Sequence, residues 1–179
     1  MKIAIIGGGP AGLMAAEAAL AGGAQVALYD SMASVGRKFL LAGKGGLNLT
    51  HSDPPDLFLS RYGERRAQVA PWLAEFGADA IRTWARGLGV ETYVGSSGRV
   101  FPTDMKAAPL LRAWLRRLRQ AGLTIHVRHR WHGWDEKKAL CFETPQGTTS
   151  QTRLEWRMGA VARGAFHFDR SVATGELRV

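Results

Sequence analysis

Lys2-Ile-Ala-Ile-Ile6 runs straight into Gly7-Gly8-Gly9-Pro10-Ala11-Gly12, and this junction constrains the fold more than any other stretch of the chain. An Ala-rich helical segment follows to Ala21, Gly22-Gly23 interrupts it, and a second apolar run, Gln25-Val-Ala-Leu-Tyr29, ends on Asp30. Strand, Gly-x-Gly-x-x-Gly, helix, strand and acid stand in the order that a dinucleotide-binding unit requires. Gly7 permits the tight turn out of the strand. Gly9 lets the backbone approach a pyrophosphate, and Gly12 lets the helix pack close to the sheet. Pro10 and Ala11 share that turn and open the helix, whose free N–H groups and positive dipole end would face the phosphates. Asp30, eighteen residues after Gly12, can accept hydrogen bonds from ribose hydroxyls. A purely structural glycine turn is the competing reading. Agreement among strand, helix and acid favours the nucleotide.

Composition sets the outer limits. With 179 residues, 46% hydrophobic and 22% charged, the chain is long enough for one globular domain with a core. The single cysteine, Cys141, excludes an internal disulfide and a thiolate metal cluster, and reads as a small buried apolar residue suited to a reducing cytoplasm. Residues 2–21 superficially resemble a signal peptide. Gly-Gly-Gly-Pro breaks their apolar run, and no uninterrupted span reaches membrane length, so the expectation is a cytoplasmic protein without a membrane association. A formal charge of +9 raises the question of nucleic acid, with much of the excess being arginine between positions 61 and 130.

After Asp30 the chain reads Gly36-Arg37-Lys38-Phe-Leu-Leu-Ala-Gly43-Lys44-Gly45-Gly46-Leu-Asn48-Leu-Thr50-His51-Ser52. Glycines alternate with basic and small polar residues, which suits a loop whose N–H groups and cations surround an anion. A flexible linker remains the alternative on composition alone.

This stretch, placed just after a Gly-x-Gly-x-x-Gly unit, resembles the BaiN-like family of NAD(P)/FAD-dependent flavoproteins. Gly98-Arg99-Val-Phe-Pro102, within Gly95 to Ala107, is similar to a second segment of that family. The resemblance covers roughly residues 1–147. It implies an α/β fold: a Rossmann-like, glutathione-reductase-like FAD-binding domain with a parallel sheet, inserted helices and a β-hairpin. By resemblance, Gly7, Gly9, Pro10, Ala11 and Gly12 would lie at the pyrophosphate and Asp30 at the adenosine ribose. Arg37 and Lys38 would sit near the AMP portion, Asn48 and Thr50 would approach the flavin end, and Gly36, Gly45 and Gly46 would be among the cofactor-binding residues. Trp131 would meet the adenine through its backbone. The family more often carries Glu where this chain has Asp30.

Residues 54–89 read as helical, with apolar stripes at Leu57, Phe58 and Tyr62 and at Val69, Trp72, Leu73 and Phe76, continued by Trp84, Leu88 and Val90, that are expected to be core and packing residues. Val90–Val94 and Arg99–Phe101 read as a hairpin around Gly95-Ser-Ser-Gly98, with Pro102 ending it. The helix before Gly122 carries Leu110, Leu111, Trp114, Leu115 and Leu118 on one face, and Arg112, Arg116 and Arg119 opposite, so packing accounts for part of the charge. Leu123–Trp131 reads as one strand, returning through Ala139–Thr144. Strand alternation would send His129 to the face opposite His126 and His132, and no metal site is expected. Residues 148–179 show neither clear period nor family motif. They are expected to be a disordered or out-of-frame tail on an incomplete domain.

No nucleophile with a base beside it and no Cys-x-x-Cys pair is visible. In flavin chemistry the cofactor performs electron transfer while the protein supplies position and electrostatics. The leading expectation is therefore an FAD-dependent oxidoreductase domain that passes hydride through the flavin, with NAD(P)H as a candidate donor and a small-molecule substrate of unknown identity. The alternative is a non-enzymatic fragment that binds nucleotide weakly or not at all. A nucleic-acid-binding module has only the net charge behind it and is not expected.

Overall fold

The computed structural model describes residues 1–137, 139–151 and 156–161. In chain order its elements begin with β1 (Lys2–Ile6), α1 (Pro10–Ala21), β2 (Gln25–Asp30), α2 (Arg37–Ala42), β3 (Thr50–His51) and α3 (Pro55–Ser60). After a 3₁₀ turn at Gly63–Arg65 come α4 (Arg66–Glu75), α5 (Ala78–Gly87), β4 (Thr92–Val94), β5 (Arg99–Pro102) and α6 (Ala107–Gln120). Five strands follow among the described residues: β6 (Thr124–Val127), β7 (Arg130–Trp134), β8 (Leu140–Thr144), β9 (Gly147–Gln151) and β10 (Trp156–Val161). They divide between two compact units, one formed by Met1–Lys38 together with the chain from Leu118 on, the other by Phe39–Arg117. No helix among the described residues is long and apolar enough to cross a membrane.

The first unit is a parallel sheet in the order β10-β1-β2-β6, with a separate antiparallel meander, β7-β8-β9. Both faces of β1 and β2 are covered, which is why their sequences are apolar runs without polar alternation. On one face α1 packs on β1 and β2 and buries Leu13 and Ala16. On the other, Ala4, Ala27 and Tyr29 form a core with Leu140 and Phe142 of the meander, and Ile6 and Trp131 pack against it. Tyr29 lies in a stack, 4.6 Å from the His126 ring at 11° and 4.4 Å from Phe142 at 19°.

In the second unit β3, β5 and β4 form a small antiparallel sheet. Its helical core joins Leu47, Ala85, Ala107 and Leu110, with Phe39, Leu49, Trp84, Leu88 and Val90 packed against them. Trp84 meets Trp114 edge-on at 4.9 Å and 87°. The expected hairpin is present as β4 and β5, and α6 buries Leu110, Leu111, Trp114 and Leu118 while Arg112, Arg116 and Arg119 are exposed.

Four expectations are corrected. The single strand over Leu123–Trp131 is two strands in different sheets, because Arg128 adopts φ 57° and turns the chain between them. Period-2 alternation therefore fails across it, and His129 lies on the same side as His126, with rings 5.4 Å apart and both against Tyr29. The stretch read as a loop after Gly36 contains α2 and β3. The stripes of α3 and α4 are not core: Leu57, Tyr62, Trp72 and Phe76 are exposed and neither helix has a buried residue. Their periodicity marks an apolar face, and the cover it gets among the described residues is partial, as in the edge contact of Phe58 with Tyr62 at 6.0 Å.

Residues 148–179 were expected to be a disordered or out-of-frame tail. Yet β9 pairs with β8, and β10 lies parallel to β1, with Lys2 opposite Trp156 and Ala4 opposite Met158. For residues 152–155 and 162–179 the expectation of a disordered or out-of-frame tail lies outside the described residues.

Phe142 is fully buried between Tyr29 and its own strand. Phe142→Ala is expected to lower the unfolding free energy by about 3–5 kcal/mol through lost transfer energy and the cavity left behind. Chemical denaturation followed by tryptophan fluorescence measures this; a loss under about 1 kcal/mol would contradict the packing described.

Candidate functional site

The turn between β1 and α1 is built from backbone contacts that only glycines permit. Gly7 has φ 106°, and its N–H donates to the Tyr29 carbonyl at 2.7 Å, locking the turn to the end of β2. A Cβ on Gly12 would stand 1.8 Å from the Gly7 carbonyl oxygen and 3.5 Å from Ile5 Cγ2, so helix and strand touch at this point. Gly9 caps the helix with extended backbone and no side-chain cap, and Pro10 supplies the first helical φ without wasting a donor. The first-turn N–H groups thus have no partner within the helix. A Cβ on Gly9 would meet nothing within 4 Å, which leaves open space in front of the helix terminus. Pro10 and Ala11 are half-buried there.

Asp30 closes the same turn. Its Oδ2 accepts from the Gly8 N–H at 2.6 Å and its Oδ1 from the Met32 N–H at 2.7 Å. The backbone of Asp30 is held as well, its carbonyl accepting from the His129 N–H at 2.9 Å. Gly36, buried with φ 72°, donates its N–H to the Gly8 carbonyl at 2.7 Å. Arg37 and Lys38 follow immediately, both exposed at the start of α2. Gly7, Gly9, Pro10, Ala11, Gly12, Asp30 and Gly36 therefore converge in the first unit. Trp131 belongs to the same unit but sits on β7, packed against the Tyr29 and Phe142 core and edge-on to Trp134 at 6.3 Å.

Gly45, Gly46, Asn48 and Thr50 form their own group in the second unit. Gly46 has φ 111°, and a Cβ there would lie 2.6 Å from Met105 Cε, whereas one on Gly45 would meet nothing within 4 Å. The Asn48 amide, oriented by its neighbours, donates to the carbonyls of Thr50 at 2.7 Å and Val100 at 3.3 Å. Thr50 pairs with Val100 across the small sheet. Asn48 thus fixes the backbone around Thr50.

Sequence reasoning passed over Gly8 and His51. Gly8 occupies a position that the glycine pattern leaves to any residue, and a third consecutive glycine is the signal that could have exposed it. His51 Nδ1 accepts from the Asp53 N–H at 3.2 Å, so its Nε2 carries the proton donated to the Ser97 carbonyl at 3.0 Å. Asp53 also pairs with Arg61. Both ring nitrogens of His51 are engaged, and the ring braces the hairpin turn, where a Cβ on Gly98 would lie 2.5 Å from it. Among the described residues no group of three or more metal-ligating side chains is gathered.

The family description "HI0933-like protein Rossmann domain" matches residues 1–175, past the point where the resemblance at residue 147 was expected to stop. A 3-dehydro-bile acid delta(4,6)-reductase of Clostridium scindens is 32% identical over 129 residues, 70% of this chain and 31% of that protein. The chain thus spans under a third of the length of that curated relative. Among solved structures, a 3-ketosteroid-delta4-(5alpha)-dehydrogenase from Rhodococcus jostii RHA1 aligns with a TM-score of 0.60 at 14% identity, over 83% of this chain and 43% of that one. A flavocytochrome c3 fumarate reductase in its open conformation gives 0.58 at 18% identity, over 83% and 31%. At such identities the likeness establishes the Rossmann-type α/β fold.

Burial, with His129 close by, pushes the His126 imidazole below its ordinary value of 6.5, and burial raises the Tyr29 phenol. Below 6.5 the unfolded chain takes up a proton at His126 that the folded chain resists. Stability should therefore fall as pH drops through that range and be insensitive to this group above it. His126→Phe keeps a ring against Tyr29 without a titrating group, so denaturation between about pH 7.5 and 5.5 should show a shallower acid loss than in the wild type. Identical slopes would refute the assignment.

Proposed function

The chain belongs to the HI0933-like protein Rossmann domain family, and from that premise we propose that it serves as the FAD-binding domain of a flavoprotein oxidoreductase. One observation carries the reading: the open space at Gly9, in front of the uncapped N-terminus of α1 and in the turn closed by Asp30. A pyrophosphate held there would meet helix N–H groups and the positive dipole end. Asp30 has one lone-pair direction left on each oxygen for ribose hydroxyls. Arg37 and Lys38 supply cations beside Gly36.

Bound FAD supplies hydride transfer, with NAD(P)H as the proposed donor and a small molecule as the proposed acceptor. The domain itself binds, orients and polarises. The exposed arginines of α6 lie on the solvent face of an amphipathic helix, which supports a small-molecule role over nucleic acid. A lone thiol at Cys141 fits the cytoplasm, to which we assign the protein.

Purified protein is expected to be yellow, or to take up added FAD with quenching of flavin fluorescence. Gly9→Asp should leave the unfolding free energy nearly unchanged, since φ is −77° there and a Cβ meets nothing within 4 Å. Yet it should weaken FAD binding by roughly a hundredfold or more, because it sets an unpaired negative charge against the phosphates. Full binding by a folded Gly9→Asp protein would place the site elsewhere.

A further inference from the structure

The generic glycine pattern leaves its second position free, but this chain does not. Gly8 has no positive φ, so its backbone alone would accept a side chain. Its surroundings would not: an added Cβ would stand 2.3 Å from Val35 Cγ1, 2.8 Å from Val35 Cβ and 2.9 Å from Asp30 Oδ2. Val35 is 7% exposed and Asp30 is held by two backbone N–H groups, so neither neighbour can easily withdraw. Asp30 reaches in from one side to accept the Gly8 N–H, and Gly36 reaches in from the other to donate to the Gly8 carbonyl. The Gly8 residue is gripped at its donor and its acceptor, with Val35 closing the space over its α-carbon.

We propose that Asp30, Gly8 and the Val35-Gly36 pair form a clamp that sets the shape of the pyrophosphate turn before any cofactor arrives, with Asp30 acting as a positioning residue. The short carboxylate and the extra glycine are a matched pair. Asp30 approaches the turn closely because Gly8 has no side chain, and Gly8 is held because Asp30 is charged and within 2.6 Å. Asp30 is anchored a second time by the Met32 N–H at 2.7 Å, so the carboxylate cannot swing away without breaking two bonds. A turn fixed in this way spares the cofactor the entropic cost of ordering it. The clamp also links the start of α1 to the segment that presents Arg37 and Lys38, because Gly36 hangs from the Gly8 carbonyl.

For its consequence, though not for its geometry, the inference rests on the FAD reading, so the decisive measurement is made without cofactor. Amide hydrogen exchange of the full chain is followed at Gly8, Gly36 and Leu49, the last bonded to the Val100 carbonyl at 2.9 Å in the second unit and serving as a control of folding. In Asp30→Ala, exchange at Gly8 and also at Gly36 should accelerate roughly tenfold or more, with Leu49 unchanged. Gly36 never touches the Asp30 carboxylate, so its response reports the clamp and not a lost partner. Faster exchange at Gly8 with no change at Gly36 would overturn the proposal. Should Asp30→Ala expose Leu49 as well, Asp30→Asn decides, because it keeps the shape but can accept only one of the two N–H groups while its amide faces the other. Acceleration at Gly36 supports the clamp there too, and its absence refutes it. Gly8→Ala, whose methyl would press on Val35 and Asp30, should then weaken FAD binding roughly tenfold; unchanged affinity would remove the clamp from cofactor binding. Wild-type protein that binds no FAD would defeat the FAD reading alone, leaving the exchange result to judge the clamp.

Discussion

The carbonyl oxygen of Gly7 and the α-carbon of Gly12 approach so closely that a methyl group between them would sit 1.8 Å from that oxygen. Much of the first unit follows from this approach. It brings the N-terminus of α1 to the tip of β1 without an intervening loop, so the first helix turn opens onto the end of the sheet. The helix can then lie along β1 and β2 and bury Leu13 and Ala16, while Ala4, Ala27 and Tyr29 are left for the meander on the other face. A larger residue at Gly12 would lift the helix and move the cradle along with the core.

The parts legible from sequence were those with a local cause. Turn, helix and acid each follow from residues within thirty positions of the N-terminus, and the amphipathic period of α6 predicts which leucines it buries. Long-range pairing hid the rest. Nothing in Trp156–Val161 announces a strand, because the reason for it is the β1 backbone alongside, far away in the chain. Alternation misplaced His129, since a period of two holds only while the strand is unbroken and Arg128 breaks it. In α3 and α4 the pattern identified an apolar face correctly, but periodicity cannot say whether anything covers that face.

At the site, identity and role separated in a similar way. Gly7, Gly9, Gly12 and Asp30 were legible from spacing as parts of one turn, and the structure brings them together there. Gly8 was not, since its demand comes from Val35 and Asp30 of this chain. Asn48 stood out in the sequence only as a polar residue among glycines; in the structure its amide secures neighbouring carbonyls and holds the backbone that Thr50 belongs to. His51 acts comparably in the hairpin, one ring nitrogen meeting the Asp53 N–H and the other the Ser97 carbonyl.

The first unit is discontinuous in sequence, interrupted by Phe39–Arg117. Its strand β2 pairs with β6, joining Ala27 to Thr124. During synthesis β1, α1 and β2 therefore leave the ribosome with the outer edge of β2 unpaired, and it stays so until the whole second unit has been translated. An open edge of apolar strand is a template for unwanted pairing. Closing so long a loop costs only logarithmically more than closing a short one, and the cost falls further once the intervening segment is compact. The second unit is contiguous and brings its own two ends close together, with the Phe39 and Trp114 rings 6.2 Å apart, so its folding shortens the effective loop between β2 and β6.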